Sequence, residues 1–201
     1  MITLLSPLFA LALAPQGPGA TAPAAVAVRA ETLYTMAGPP ISGGVVVIRG
    51  GKIEAVGEVD VPSGMEVVET KVAMPGLIDA HATVGLTGVL NVPQDQDQLE
   101  RSSPMQPELR ALDAFNPRDP LVAWVRGLGV TTLHTGHGPG ALISGQTMVI
   151  KTHGRSVDAD VVRPLAMVAV TLSDRGRSRE GGAPGTRAKS CLLYTSPSPR
   201  D

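Results

Sequence analysis

The stretch Asp79-Ala80-His81-Ala82-Thr83 ends an apolar run that starts at Leu77-Ile78. Alternate side chains of a strand share a face, so Asp79, His81 and Thr83 are predicted to point the same way at its C-terminal end. In a parallel barrel that end is where active sites are built. Burying a polar group without a partner costs roughly 2–7 kcal/mol. The switch from apolar residues to Asp-x-His is therefore a functional signal. The plain structural alternative is a hydrogen-bonded histidine at the mouth of a barrel. His134 and His137, within Leu133-His134-Thr135-Gly136-His137, follow a second predicted strand and are candidates for touching substrate. Their structural alternative is a pair of loop histidines bonded to backbone. His153 begins a loop and receives no role.

Two other chemistries are set aside. Gly136, Gly138 and Gly140 alternate as in a phosphate loop, but Ala141 to Ile150 opens no amphipathic helix, which a dinucleotide site needs. Ser144 lacks the Gly-x-Ser-x-Gly frame of a serine-hydrolase elbow.

The elements that must position these residues are legible in outline. Ala24–Ala30, Val45–Arg49, Lys52–Gly57 and Glu66–Thr70 are β-type runs. Gly50-Gly51 between two of them predicts a hairpin, because a two-residue primed turn needs positive φ at both centres. Residues 24–72 are thus expected to form a small antiparallel module. Pro107–Phe115 has helical spacing, with Leu109, Leu112 and Phe115 on one face. Asp119 and Pro120 open a clearer helix, which Gly127 or Gly129 ends. Val130–His134 is the next strand, and strand, loop, helix, strand predicts a βαβ unit. Thr147–Lys151 and Leu165–Val170 are further strands. Asp174–Pro184 reads as a polar loop with solvated Arg175, Arg177 and Arg179, anion binding being the alternative, and Thr186–Lys189 begins a helix.

Composition narrows the function class. The net charge is −1, which gives no reason to expect a nucleic-acid partner. The first residues form an apolar run, Met1 to Ala14, followed by the small and Pro-rich Pro15–Pro23. The run is too short to span a bilayer and fits a secretory signal, so export to a periplasm or beyond is expected. The single cysteine, Cys191, lies in the tail Cys191–Asp201. That tail resembles a translated sequencing adapter and is set aside as a processing scar, leaving an N-terminal fragment. Without it, no disulfide or Cys-based zinc site is available.

Met74-Pro75-Gly76-Leu77-Ile78-Asp79-Ala80-His81 resembles the first barrel strand of the metal-dependent amidohydrolase superfamily. Gly51–Gly57 resembles the N-terminal sheet module of that family, and Gly129-Val130-Thr131-Thr132 its second strand. Ile143–Gln146 leading to Val149–Lys151 resembles the imidazolonepropionase-like branch. The resemblance implies a (β/α)8 barrel, of about 250 residues, preceded by a small β-sandwich module. It divides the chain into a leader (1–23), the β module (24–72), the first units of a truncated barrel (73–190) and the tail (191–201).

The same resemblance implies metal-dependent hydrolysis of a non-peptide carbon–nitrogen bond, in an amide or cyclic amide, by the intact protein. The family pattern on this strand is His-x-His, in which two imidazoles hold one divalent metal, here expected to be zinc. His81 matches the first histidine and is the expected metal ligand. Thr83 occupies the second position, where a neutral hydroxyl is a poor zinc ligand. Asp79 is expected as a supporting carboxylate, and Thr83, His134 and His137 as groups near substrate or ligand. The remaining ligands of the family come from later strands, so the fragment alone is expected to be inactive and to leave strands unpaired. The alternative is an exported binding protein that kept the barrel and lost the metal. Either way the partner is a small molecule.

Overall fold

The computed structural model describes residues 25–178 and 182–195. The expected leader, Arg179 and the tail past residue 195 lie outside the described residues. Two compact units divide the chain, Met1–Pro75 and Gly76–Asp201.

The first unit contains β1 (Val26–Leu33), β2 (Ile41–Ser42), β3 (Val45–Arg49), β4 (Lys52–Gly57) and β5 (Glu66–Ala73). Gly50 and Gly51 have φ of 63° and 71°, and they turn β3 into β4 with Arg49 opposite Lys52. The expected hairpin is present, made by the two residues that adopt this turn without strain. Val45 and Val47 alternate inward and join Ala27 in the core, with Val59, Val61 and Met65 packed against it. The expected module differs in two respects. β5 runs parallel to β1, from Val26 opposite Glu66 to Leu33 opposite Ala73. All five strands are hydrogen-bonded into one sheet among the described residues, not into the two separate sheets of a sandwich. The physical reason is connectivity: β2 to β4 form the long connection that a parallel pair requires.

The second unit begins with β6 (Leu77–Ala82), followed by a long loop containing the one-turn α1 (Ala111–Ala114). Then come α2 (Pro120–Gly127), β7 (Val130–Thr135), β8 (Ile143–Gln146) and β9 (Met148–Lys151). α3 (Val157–Asp160), β10 (Val161–Arg163), β11 (Val168–Val170) and α4 (Arg187–Thr195) complete it. β6 and β7 are parallel, joined through α2, so the predicted βαβ unit is present. Asp119 accepts a hydrogen bond from the Leu121 N–H at 2.7 Å, Pro120 occupies the first turn, and Gly129 follows with φ of 90°.

The barrel expectation is corrected in one respect. β9 pairs antiparallel with β7 and β10 antiparallel with β9, giving the order β10-β9-β7-β6. β8 and β11 form a separate antiparallel ribbon. No helix lies between β7 and β9, and a second parallel strand would need a longer crossover. The described residues of the second unit therefore contain one parallel strand pair and no closed barrel. β6 lies at the sheet's edge, with Ile78 69% exposed.

The helix expected over Pro107–Phe115 shrinks to α1. Gln106 N–H donates to the Ile143 carbonyl, and Gln146 N–H to the Leu109 carbonyl. This backbone is committed to β8, and tertiary pairing overrides local spacing. The core gathers Leu86, Phe115, Val122, Leu133, Met148 and Ile150, which packs one face of β7 and β9. α4 has no buried residue. No helix among the described residues is long and apolar enough to cross a membrane.

Candidate functional site at the ends of the parallel strands

The two parallel strands carry their polar residues to the same end. The turn into β6 is tight: a side chain at Gly76 would overlap that of Thr131 on β7. Further along, Asp79 stands opposite Leu133 and Ala82 opposite Thr135. Three steps along β6 thus match two along β7, and the extra residue makes a bulge at Ala80-His81. Bulges re-aim side chains and occur often next to active sites. Simple alternation of Asp79, His81 and Thr83 on one face does not survive this geometry. Asp79 Oδ1 accepts the His81 backbone N–H at 3.1 Å, so the carboxylate takes up a backbone donor that the interrupted register leaves spare. His81 is exposed, and its ring makes no hydrogen bond among the described residues.

Thr83 has left the strand, which ends at Ala82. Its carbonyl accepts the Leu86 and Thr87 N–H groups, both at 3.0 Å, and so turns the chain into the loop. Thr83 therefore does not extend the strand face on which His81 was expected to have a neighbour.

His134 lies within β7 rather than in a loop. Its Nδ1 is 2.8 Å from the Ala80 carbonyl and its Nε2 is 2.7 Å from Thr147 Oγ1. A carbonyl only accepts, so Nδ1 carries a proton and donates. The ring bridges the bulge of β6 to the start of β9, which leaves neither nitrogen free for a metal in this arrangement. Thr135 supports the same end, its hydroxyl donating to the Val84 carbonyl at 2.9 Å.

His137 differs from both. It is 7% exposed, and neither ring nitrogen makes a well-formed hydrogen bond, although the Leu109 carbonyl lies close enough to act on the ring. Gly145, with φ of 133°, packs directly against the ring, beside the Leu109 carbonyl. Burial pushes the imidazole below its ordinary value, outweighing the opposing pull of the Leu109 carbonyl. Nearby in the chain, Gly138 N–H donates to the Gln98 carbonyl at 2.7 Å and joins the loops after β6 and β7. Gln98 Oε1 and Thr87 Oγ1 in the first of these loops are also buried without partners.

The fit to a metal is incomplete. Among the described residues no three His, Cys, Asp or Glu side chains come together to hold an ion. A catalytic zinc takes three protein ligands, and this strand end offers His81 alone. The described residues do not compose the expected zinc site by themselves.

One cluster was missed in the sequence, and a second was read there as solvated with anion binding as the alternative. Asp160 is 2% exposed and accepts from the Arg155 backbone N–H at 2.9 Å, the Arg155 guanidinium and the His153 ring at 3.1 Å. Burial raises its pKa, but these donors together pull it below the usual carboxylate range. Arg126 ties the same corner to α2 through the Thr152 and His153 carbonyls. The only local signal was Ser156, which caps α3 through the Ala159 N–H. The second cluster is a pocket of arginines, which the sequence suggested were solvated; Arg177 is instead one-third exposed.

No protein-family profile matches the chain. No curated protein matches it in sequence. Among solved structures, an amidohydrolase from Thermotoga maritima superposes with a TM-score of 0.78 at 26% identity, over 84% of this chain and 45% of that one. The chain thus spans less than half the length of that protein. An ochratoxinase from A. niger overlaps 34% of the chain at 28% identity with a TM-score of 0.30. A molinate hydrolase overlaps 33% at 21% identity with a TM-score of 0.29, and neither short overlap carries weight. Over most of its described length, this chain has the fold of part of an amidohydrolase.

Proposed function

We propose that the intact protein hydrolyses a non-peptide carbon–nitrogen bond in a small amide or cyclic amide, with His81 as a ligand of a divalent metal. The observation that supports it is the placement of Asp79 and His81 at the C-terminal end of a parallel strand, within a fold similar to an amidohydrolase. A metal held there would polarise the carbonyl and lower the pKa of water. The remaining ligands would come from the part of the protein that corresponds to the rest of the Thermotoga enzyme. The chain's own residues have narrower roles. Asp79 fixes the backbone at His81 through the His81 N–H, and so sets where the imidazole stands. His134 locks the bulge that carries His81 by donating to the Ala80 carbonyl. The imidazolonepropionase-like branch, zinc as the metal and export of the protein belong to this proposal.

A second reading has its own observation. Thr83 offers no imidazole where the family pattern has one, and its carbonyl is committed to a turn. That favours a binding protein which kept the scaffold and lost the metal. Metal analysis of the intact protein separates the two. About one divalent ion per chain, lost together with amide hydrolysis in His81→Ala, supports the hydrolase. Metal-free protein whose ligand binding ignores chelators supports the binder.

A further inference from the structure

A cavity of 870 Å³ opens among loops of the second unit. Its walls are Arg101–Pro104 in the loop after β6, Pro139–Ala141 in the loop after β7, and the segments Asp174–Ser178 and Gly182–Pro184. Its volume falls in the range of small-molecule sites. We propose that it binds an oxyanion, the carboxylate or phosphate of a small molecule, through Arg101, Arg175 and Arg177.

The charge balance points this way. Among the described residues, three guanidinium groups and one carboxylate line the cavity. That carboxylate, Asp174, is already paired with Arg177 at 3.3 Å and Arg187 at 3.6 Å. Glu100, next to Arg101, spends its Oε1 on the Arg101 and Ser102 backbone N–H groups, both at 2.7 Å. Among the described residues, the side chains of Arg101 and Arg175 make no ion pair.

One group in the wall is incomplete without a ligand. Arg177 Nε is buried and has no acceptor, and a buried donor left unmade carries its full desolvation cost. An oxyanion would supply the acceptor, and the planar guanidinium fork matches two of its oxygens. Ser178 adds a second donor. Its oxygen accepts the Gly182 N–H at 3.1 Å, and its hydroxyl proton has no acceptor among the described residues. Gly176, also in the wall, lets the chain pass close to the Thr171 carbonyl, with which a side chain there would collide.

The site is independent of turnover, so it and the hydrolase reading fail separately. The test is calorimetric titration of the intact, chelator-treated protein with inorganic phosphate and, separately, with succinate. The expected result is saturable binding of at least one probe, weakened by about tenfold or more in Arg175→Ala and in Arg177→Ala. Arg177→Lys, which keeps the charge and loses the fork, should also bind more weakly. Phosphate alone, or succinate alone, names the source of the oxyanion. Arg49→Ala, in the first unit, should bind as wild type. Absence of saturable binding by both probes overturns the proposal, as does unchanged binding in Arg175→Ala. Arg175 is exposed, so that variant decides the matter even if Arg177→Ala fails to fold.

Discussion

At the end of β6, Asp79 is half-buried and His81 exposed; past the end of β9, His153 and Arg155 close over Asp160, whose side chain has no exposure at all. Both places pair an aspartate with a histidine beside a strand end. In the first, the carboxylate holds a backbone N–H and leaves the imidazole without a partner. In the second, the carboxylate is buried and takes the histidine, an arginine and a backbone N–H together. Residue types alone do not separate a site from a brace. What separates them is whether the polar groups are already satisfied. A satisfied cluster has no free valence for a ligand, and an unsatisfied one at a bulged strand end does.

The largest effect expected from this contrast is on activity. His81→Ala should lower kcat/KM of the intact protein by more than about a hundredfold, since even partners outside a metal's ligand shell cost 10–100-fold. Its Tm should not move, because an exposed side chain that makes no hydrogen bond contributes within about 0.5 kcal/mol. A large drop in Tm would make His81 structural and erase the contrast.

Asp160→Ala should behave in the opposite way. Removing the buried acceptor strands the donors around it and should destabilise the second unit by about 1–3 kcal/mol. The partners are more than half exposed and rehydrate, which keeps the figure at that level. Activity per folded molecule should be unchanged. The pH dependence follows from the same group. The folded pKa of Asp160 is depressed, so its stabilisation is complete above the unfolded value of about 3.9 and is lost as pH falls through the folded value. Thermal melts of wild type and Asp160→Asn should therefore converge in acid. Curves that stay parallel from neutral pH down would show that the carboxylate does not carry the effect.

The brace was invisible in the sequence for a definite reason. His153, Arg155 and Asp160 become a cluster only because Gly154, with φ of 77°, turns the chain back. By contrast, Asp119, Pro120, Gly50 and Gly51 act through their own backbone, and their roles were legible residue by residue. The strand end at Asp79 and His81 was legible as well, because the change from apolar to polar is local. The bulge that re-aims His81 was not, since it depends on register with β7, and register is a property of two strands. The same limit hid the parallel β5 and the antiparallel β9. The arginine pocket joins three loops far apart in sequence, and no spacing rule reaches across them.

His137 tests the contrast from a third side, with the smallest expected shift. It is buried like Asp160 yet unsatisfied like His81. If burial alone marked a structural residue, its bare nitrogens would be a defect that no function repays. Replacing it by a side chain of similar bulk without polar atoms then removes an unmade pair of hydrogen bonds. His137→Leu should raise stability by about 1 kcal/mol, because an apolar replacement spares the desolvation cost. Gly145 and the Leu109 carbonyl crowd the ring, so the substitution also needs the leucine to keep the imidazole's outline. The informative measurement is activity alongside Tm. A stabler enzyme with reduced kcat/KM places His137 with His81, as a group kept unsatisfied for a ligand. A stabler enzyme with full activity places it with neither, as a polar group that the loop between β7 and β8 tolerates. A less stable enzyme would mean that the ring is satisfied after all, by water that bridges it to Gln98 or Thr87, and unsatisfied polar atoms would then not distinguish site from brace in this unit.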